Sequence, residues 1–298
     1  MLPPGLKKLR HAANVLAGLR AHPAARAGGA PMRQFLAWQL RKHVLRAPVI
    51  APVFDGSARM RFYPDSHITN AVRYFGWPDW HEMHFLARYL NAGDVFVDVG
   101  ANVGVYSVLA ATKVGAKGEV WAIEPDPASA ERLAENFELN ALDPKRILRV
   151  IAGATAGQAR FDVGRDVVGS VVPEGRDGGE SLEVRPLDAC FPSPRHIDAI
   201  KIDVKGFELE VLKGAAALLV ERRIGVLLLE MISFGPKYGS TRDAVERTLR
   251  DAGYALFAAS SEGLTLNAVP PGGPYPENAF AIADVDAVRR RIPGLTLA

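Results

Sequence analysis

From residue 93 to about residue 285 the chain keeps changing its hydrophobic period, and no other feature limits the possible folds so tightly. "VFVDVG" (95–100) reads as a buried strand, Val103 to Val114 as a helix, "EVWAIEP" as a strand, "PASAERLAENFELN" as a helix and "RILRVIAGA" as a strand. The exchange returns in "IDAIKIDVKG", "FELEVLKGAAALLVERR", "IGVLLLEM", "TRDAVERTLRDAG", "YALFAAS" and "ENAFAIA". Strands that alternate with helices form βαβ units, and such units build a parallel sheet. The expectation is an α/β fold: a doubly wound, mostly parallel, Rossmann-like sheet of seven strands. One interruption, from about 157 to 185, holds the short pieces "QARFDVG" and "GSVVPEG" and the glycine-rich "RDGGES". It reads as a surface hairpin or loop excursion.

Upstream, "MRFYPDS" and the region from Tyr63 to Gly76 suggest a short strand or hairpin with an irregular connection. A helix is expected from about Pro78 to Leu90, where Trp80, His84, Phe85 and Tyr89 recur at three and four residues, with Asn91 and Gly93 as its stop. Residues 1–54 differ in kind. They contain nine Lys or Arg and no acid, whereas the remainder has 27 basic and 33 acidic residues, a balance of −6. The chain therefore divides into a basic, partly helical extension, 1–54, and a domain, 55–298. The arm suits either a weak contact with an anionic membrane surface or a solvated extension, and "AHPAARAGGAP" interrupts any long amphipathic helix in it.

The 298 residues are 48% hydrophobic, enough for a packed core. No stretch approaches the roughly 18 apolar residues of a membrane-spanning helix. Near the start the longest apolar run, Val15 to Leu19, is closed by Arg20, which argues against a secretory signal. The single cysteine, Cys190, excludes an internal disulfide frame and a cysteine-based zinc site, and a cytoplasmic protein is expected.

The first strand runs into "VGANVGVYS", giving up side chains where the next helix begins. In a doubly wound sheet the ligand sits at the carboxyl ends of the strands, so Gly100 and Gly104 are expected to let backbone come close to it. The amides at the helix start favour an anionic group by about 0.3–1 kcal/mol. A dinucleotide fingerprint would place glycines at 100, 102 and 105, but the chain has Asn102 and Val105. Asp98 closes the first strand and Glu124 the second, where an acid can accept both hydroxyls of a ribose. There is no phosphate-binding G-x-x-x-x-G-K-[ST] loop.

These residues resemble the first two motifs of the class I S-adenosylmethionine-dependent methyltransferases, and more particularly of the FkbM family. The resemblance covers about residues 60 to 285. It rests on "VFVDVGANVGVYSVLAA", "VWAIEPDPASAERLAENFELN", "VRPLDACF", "IDAIKIDVKGFELEVLKGAAALL" and "VLLLEM", in the family's order. It implies a seven-stranded sheet whose last strand is antiparallel, and S-adenosylmethionine as methyl donor. Asp98, Gly100, Asn102 and Gly104 match the family's cofactor loop, and Glu124 matches the acid that holds the ribose.

In "IKIDVKGFE" alternation puts Lys201, Asp203 and Lys205 on one strand face, so charges enter a strand that should be buried, and Lys201 is expected to pair with an acid. The family usually shows Asp-Val-Glu-Gly here, followed by a further Glu. This chain has Lys205 where the first Glu stands and keeps Glu208. Lys205 is either an inversion of the local field or a surface ion pair outside the chemistry. Transfer to an alcohol releases a proton, and the candidates to take it are Asp203, Glu208 and Glu230, ahead of His81 and His84. No cluster has metal-ligand spacing, and no metal is expected.

The expected activity is O-methylation of a hydroxyl on a sugar, glycan, polyketide or other secondary metabolite. The alternative is a non-catalytic or altered-specificity binding protein of the same fold. A nucleic-acid substrate is not expected, because the domain is net acidic. Residues 60–90, 157–185 and 232–240 are expected to line the acceptor pocket. Tyr74, Phe75, Trp77, Trp80 and Tyr238 either stack on a ring there or pack in the core.

Overall fold

The computed structural model describes residues 17–18, 20–23, 31–44, 46–162, 170–172, 178–231 and 240–298. The chain divides into two compact units, Met1–Trp80 and His81–Ala298. The expected extension, 1–54, falls in the first unit together with residues 55–80.

In the first unit helix α1 (Pro31–Val44) packs on α2 (His67–Phe75), and β1 (Val49–Val53) pairs antiparallel with β2 (Ala58–Phe62). Trp38 on α1 is buried and its Nε1 donates to Asn70 Oδ1 on α2 at 2.5 Å. An irregular connection was expected where α2 stands. Its cause is a cap: the buried Ser66 side chain accepts from the Thr69 amide, giving the first turn a partner that apolar spacing does not reveal. The four aromatic residues at 74–80 pack inside this unit. Tyr74 meets Phe35 at 5.0 Å, Trp77 meets Phe54 at 5.1 Å, and Phe75 stacks on His22 at 4.2 Å, with Trp80 6.0 Å from the same ring.

Helix α3 (Trp80–Tyr89) begins on the last residue of the first unit and leads into the second, which continues through β3 (Val95–Val99), α4 (Val105–Val114), β4 (Glu119–Ile123), α5 (Pro127–Leu139) and β5 (Ile147–Leu148). Next come β6 (Ile151–Ala152), β7 (Gly157–Asp162), β8 (Ser170–Val171), β9 (Glu180–Arg185), α6 (Leu187–Cys190) and β10 (Ile197–Ile202). The rest is α7 (Glu208–Lys213), α8 (Ala216–Val220), β11 (Ile224–Glu230), α9 (Arg242–Asp251), β12 (Ala255–Ser260), β13 (Thr265–Ala268), β14 (Asn278–Ile282), α10 (Val285–Arg291) and β15 (Thr296–Leu297).

The main sheet has the order β15-β13-β12-β14-β11-β10-β3-β4-β5. Strands β5, β4, β3, β10 and β11 are mutually parallel, and β14 runs antiparallel to both β11 and β12. The expected α/β, mostly parallel architecture is present, with β14 as the expected antiparallel strand, and among the described residues the sheet has nine strands where seven were expected. The two additions are β13, which folds back on β12 as a hairpin, and β15, a two-residue exposed strand on its edge. Neither carries an apolar run long enough to announce itself. The excursion is a second sheet, β6-β9-β7-β8. "RILRVIAGA" supplies both sheets, because it breaks between β5 and β6.

Phe96, Val97, Ala199, Ile200, Val226 and Leu227 are all fully buried, so the central strands are covered on both faces. That is why they read as unbroken apolar runs. The single helix expected over 207–223 is two helices. The Asp188 carboxylate accepts from the amides of Ala217 and Leu218 at 2.9 Å each, capping α8 from another part of the chain.

Candidate active site

Register fixes the site. Val99 pairs with Ile123 on β4 and with Ile202 on β10, and Ile202 pairs with Leu229 on β11. One step further along four parallel strands stand Gly100, Glu124, Asp203 and Glu230, side by side at the carboxyl edge of the sheet. Four of the residues singled out in the sequence thus share one row.

The turn after β3 is bound to its neighbour: Gly100 N and Ala101 N both donate to Ile123 O, at 2.9 and 3.2 Å. Its φ angles are +74° at Gly100, +51° at Asn102 and +87° at Gly104. The glycines were expected to clear space for a ligand, but protein takes that space. A Cβ on Gly100 would lie 2.0 Å from the carbonyl oxygen of Asp203, and one on Gly104 would lie 2.5 Å from Leu133 Cδ1. Gly100 therefore lets the end of β10 close against the turn, which sets Asp203 beside it.

Two buried carboxylates flank that turn. Glu124 Oε2 accepts from Asn102 N at 2.7 Å and Oε1 from Asp126 N at 2.9 Å. Each oxygen keeps a free lone pair, the requirement for receiving a vicinal diol. Burial pushes Glu124 up to about 7, against the pull of the two amides. Asp98 lies inside β3 opposite Lys201 of β10. Its Oδ2 accepts from Ser107 N at 3.0 Å and from Ser107 Oγ at 2.7 Å. Its Oδ1 is buried without a hydrogen-bond partner, 4.0 Å from Lys201 Nζ. Burial raises the Asp98 pKa, and the Lys201 charge opposes the rise. An unsatisfied carboxylate oxygen beside the turn is the chemistry an ammonium group seeks. Ser107, which the sequence reading passed over, is a small hydroxyl in the first turn of α4; only the fold shows that it faces Asp98.

From Asp98 a file of alternating charges crosses to β11. Lys201 Nζ lies 3.3 Å from Asp203 Oδ2 and 5.1 Å from the centre of the Tyr106 ring. Lys205 Nζ lies 2.7 Å from Asp203 Oδ1 and donates to both oxygens of Glu230 at 3.1 Å. Lys201 thus pairs with acids as expected. The Lys205 ammonium is partly buried between two strand-end carboxylates, Asp203 and Glu230. Burial alone would raise Asp203, but the two ammonium groups outweigh it and hold the carboxyl well below the usual range. Glu230 goes the other way, pushed up to about 7 by burial and by the Asp203 charge, with Lys205 opposing.

Asp203 and Glu230 are brought together; Glu208 is turned to the backbone. Its Oε1 accepts from Val204 N and Gly206 N at 3.1 Å each, which ties the turn that presents Lys205 at φ +55°. His81 Nδ1 accepts from Glu262 N at 3.1 Å, so one ring nitrogen is committed. Tyr238 and residues 232–239 lie outside the described residues, as do parts of the 157–185 excursion. Among the described residues no group of three or more His, Cys, Asp or Glu is placed to hold a metal ion.

A family model described as the methyltransferase FkbM domain matches residues 98–256. The hexuronic acid methyltransferase AglP of Haloferax volcanii is 28% identical over 188 residues, which cover 62% of this chain and 74% of that one. The methyltransferase sdnD of Sordaria araneosa is 26% identical over 208 residues, covering 58% and 78%. Among solved structures, a precorrin-6y C5,15-methyltransferase from Geobacter metallireducens aligns with a TM-score of 0.38 at 17% identity, covering 69% of this chain and 85% of that one.

Proposed function

The chain belongs to the FkbM family of S-adenosylmethionine-dependent methyltransferases, and from that premise we propose that it methylates a hydroxyl group of a sugar or glycan, with Glu230 as the proton acceptor. The sugar reading draws on the similarity to AglP, a hexuronic acid methyltransferase. A polyketide or another secondary metabolite is the broader acceptor class. All the site residues fall in the unit His81–Ala298.

The observation that carries the reading is the row at the carboxyl edge. At its β3–β4 end, Gly100, Asn102, Gly104 and Glu124 form the cradle assigned to the donor: Glu124 for the ribose hydroxyls, Asp98 toward the amino group, and the amides opening α4 toward the carboxylate. The donor supplies an electrophilic methyl group on a sulfonium. At the other end, Asp203 and Glu230 are assigned to the acceptor. Most of the rate in such a displacement comes from holding oxygen and methyl carbon in line. Asp203, kept ionised by two lysines, accepts a hydrogen bond from the acceptor and orients it, but is too weak a base to take its proton. Glu230 has a proton affinity matched to neutral pH, where a general base works best. Lys205 keeps the two carboxylates together.

A second reading has one observation in its favour. Lys205 stands where the family usually has Glu, and its ammonium grips both oxygens of Glu230, which suits a protein that holds the donor without turning it over. Incubation with donor labelled in its methyl group and a panel of hexuronic acids, neutral hexoses and phenols separates the two. Label appearing on a sugar hydroxyl, lost in Glu230→Gln, supports transfer. Donor binding with no labelled product across the panel supports the second reading.

A further inference from the structure

Helix α1 uses one side inward and leaves the other uncovered. Trp38 is buried, Phe35 packs on Tyr74, and Gln39 Nε2 donates to Tyr74 Oη at 2.8 Å. On the opposite side Leu36, Leu40 and Val44 are 59%, 68% and 67% exposed. Spaced by four residues, they form one row along the helix, with exposed Ala37 beside it and exposed Arg33 and Arg41 at its margins. Among the described residues the other exposed large hydrophobic side chains are Val220 and the less exposed Leu297, and they lie far away in sequence. A single exposed leucine needs no explanation, but three in register on a helix whose other face is already packed do.

The surroundings of this row decide what covers it. Residues 1–54 carry nine cations and no acid. We infer that the outer face of α1 docks on an anionic lipid bilayer, with Leu36, Leu40 and Val44 at the acyl boundary and the arginines at the headgroup phosphates. A bilayer surface answers both halves of the face: apolar side chains enter below the headgroups while Arg stems extend along them and keep their charge at the surface. A nucleic acid would answer the charge and leave the apolar row in water. A second copy paired through the same face would set two acid-free cationic arms against each other. Among the described residues no helix is long and apolar enough to cross a membrane, so α1 lies on the surface.

The test uses the full chain and is independent of methyl transfer. Sedimentation with vesicles of phosphatidylcholine containing phosphatidylglycerol is expected to capture the protein at least about tenfold more strongly than pure phosphatidylcholine, and to weaken as salt is raised. The triple variant Leu36→Ser, Leu40→Ser, Val44→Ser should lose about tenfold or more of that binding, with its circular dichroism and S-adenosylmethionine affinity unchanged. Because these side chains are exposed, the variant folds; Arg33→Gln with Arg41→Gln gives an independent loss on anionic vesicles alone. Equal capture by neutral and anionic vesicles, or undiminished capture of the triple variant, overturns the proposal. So does light scattering that shows a dimer abolished by the triple substitution, or binding to a DNA duplex abolished by it.

Discussion

Glu124 and Glu230 stand at equivalent steps of parallel strands, the first buried and the second half-buried, both raised to about 7, yet the protein holds them by different means. Glu124 is held by backbone amides of Asn102 and Asp126, one to each oxygen. Glu230 is held by a side-chain ammonium, Lys205, which also contacts Asp203. Backbone amides belong to the fold and survive exchange of their side chains for any residue but proline, so on the proposed assignment the Glu124 end is a fixed receptor for the donor. An ammonium is a replaceable charge on a flexible stem. On the same assignment the Glu230 end, where Lys205 stands in place of the Glu that the FkbM resemblance leads one to expect, is the end that substitution can retune without disturbing the sheet.

The largest effect expected from that contrast is on transfer: Glu230→Gln should lower kcat by about 10²–10⁴-fold, read with labelled donor and a responsive acceptor. Rates within a few-fold of the parent would remove Glu230 from the proton path. Next, Gly100→Ala should cost about 2–4 kcal/mol of stability, because its Cβ meets the Asp203 carbonyl at a positive φ. A thermal melt measures it, and an unchanged Tm would mean that the two strand ends do not close as described. A smaller effect concerns pH. Hydroxyl donors bind ionised Glu124 better than protonated Glu124, so donor affinity should be full above pH 7. It should fall by up to about tenfold per unit as pH drops through the Glu124 value of about 7; calorimetry across pH 5 to 9 would show a flat profile if Glu124 does not meet the diol.

The finest test separates Lys205 from Asp203. The lysine lowers the proton affinity of Glu230 and the aspartate raises it. Lys205→Met should therefore move the acid limb of the rate–pH profile upward by about one unit, and Asp203→Asn should move it downward. Shifts in the same direction would contradict the charge file between them.

Much of this was legible before the fold was seen. β3, β10 and β11 are buried on both faces and announce themselves as apolar runs, and the acids at their ends stand out against that background. What stayed hidden depends on partners distant in the chain. Asp188 divides the helix expected over 207–223 by capping its second half, and nothing within the helix marks the break. β13 and β15 are short edge strands with no pattern of their own. The reason for Gly100 was misjudged because a sequence shows that a Cβ is missing but not what stands in its place; here it is the carbonyl of Asp203. Lys205 was visible as a departure, but whether it faced solvent or Glu230 depended on a left-handed turn tied by Glu208.

The division of labour between the two glutamates is tested most directly by titrating S-adenosylmethionine into Glu124→Gln and Glu230→Gln side by side. The first should bind at least about tenfold more weakly than the parent, as expected when a charged acceptor of hydrogen bonds is lost, and the second should bind as the parent does. Equal losses in both variants, or a loss confined to Glu230→Gln, would contradict the placement of donor and acceptor along the sheet edge.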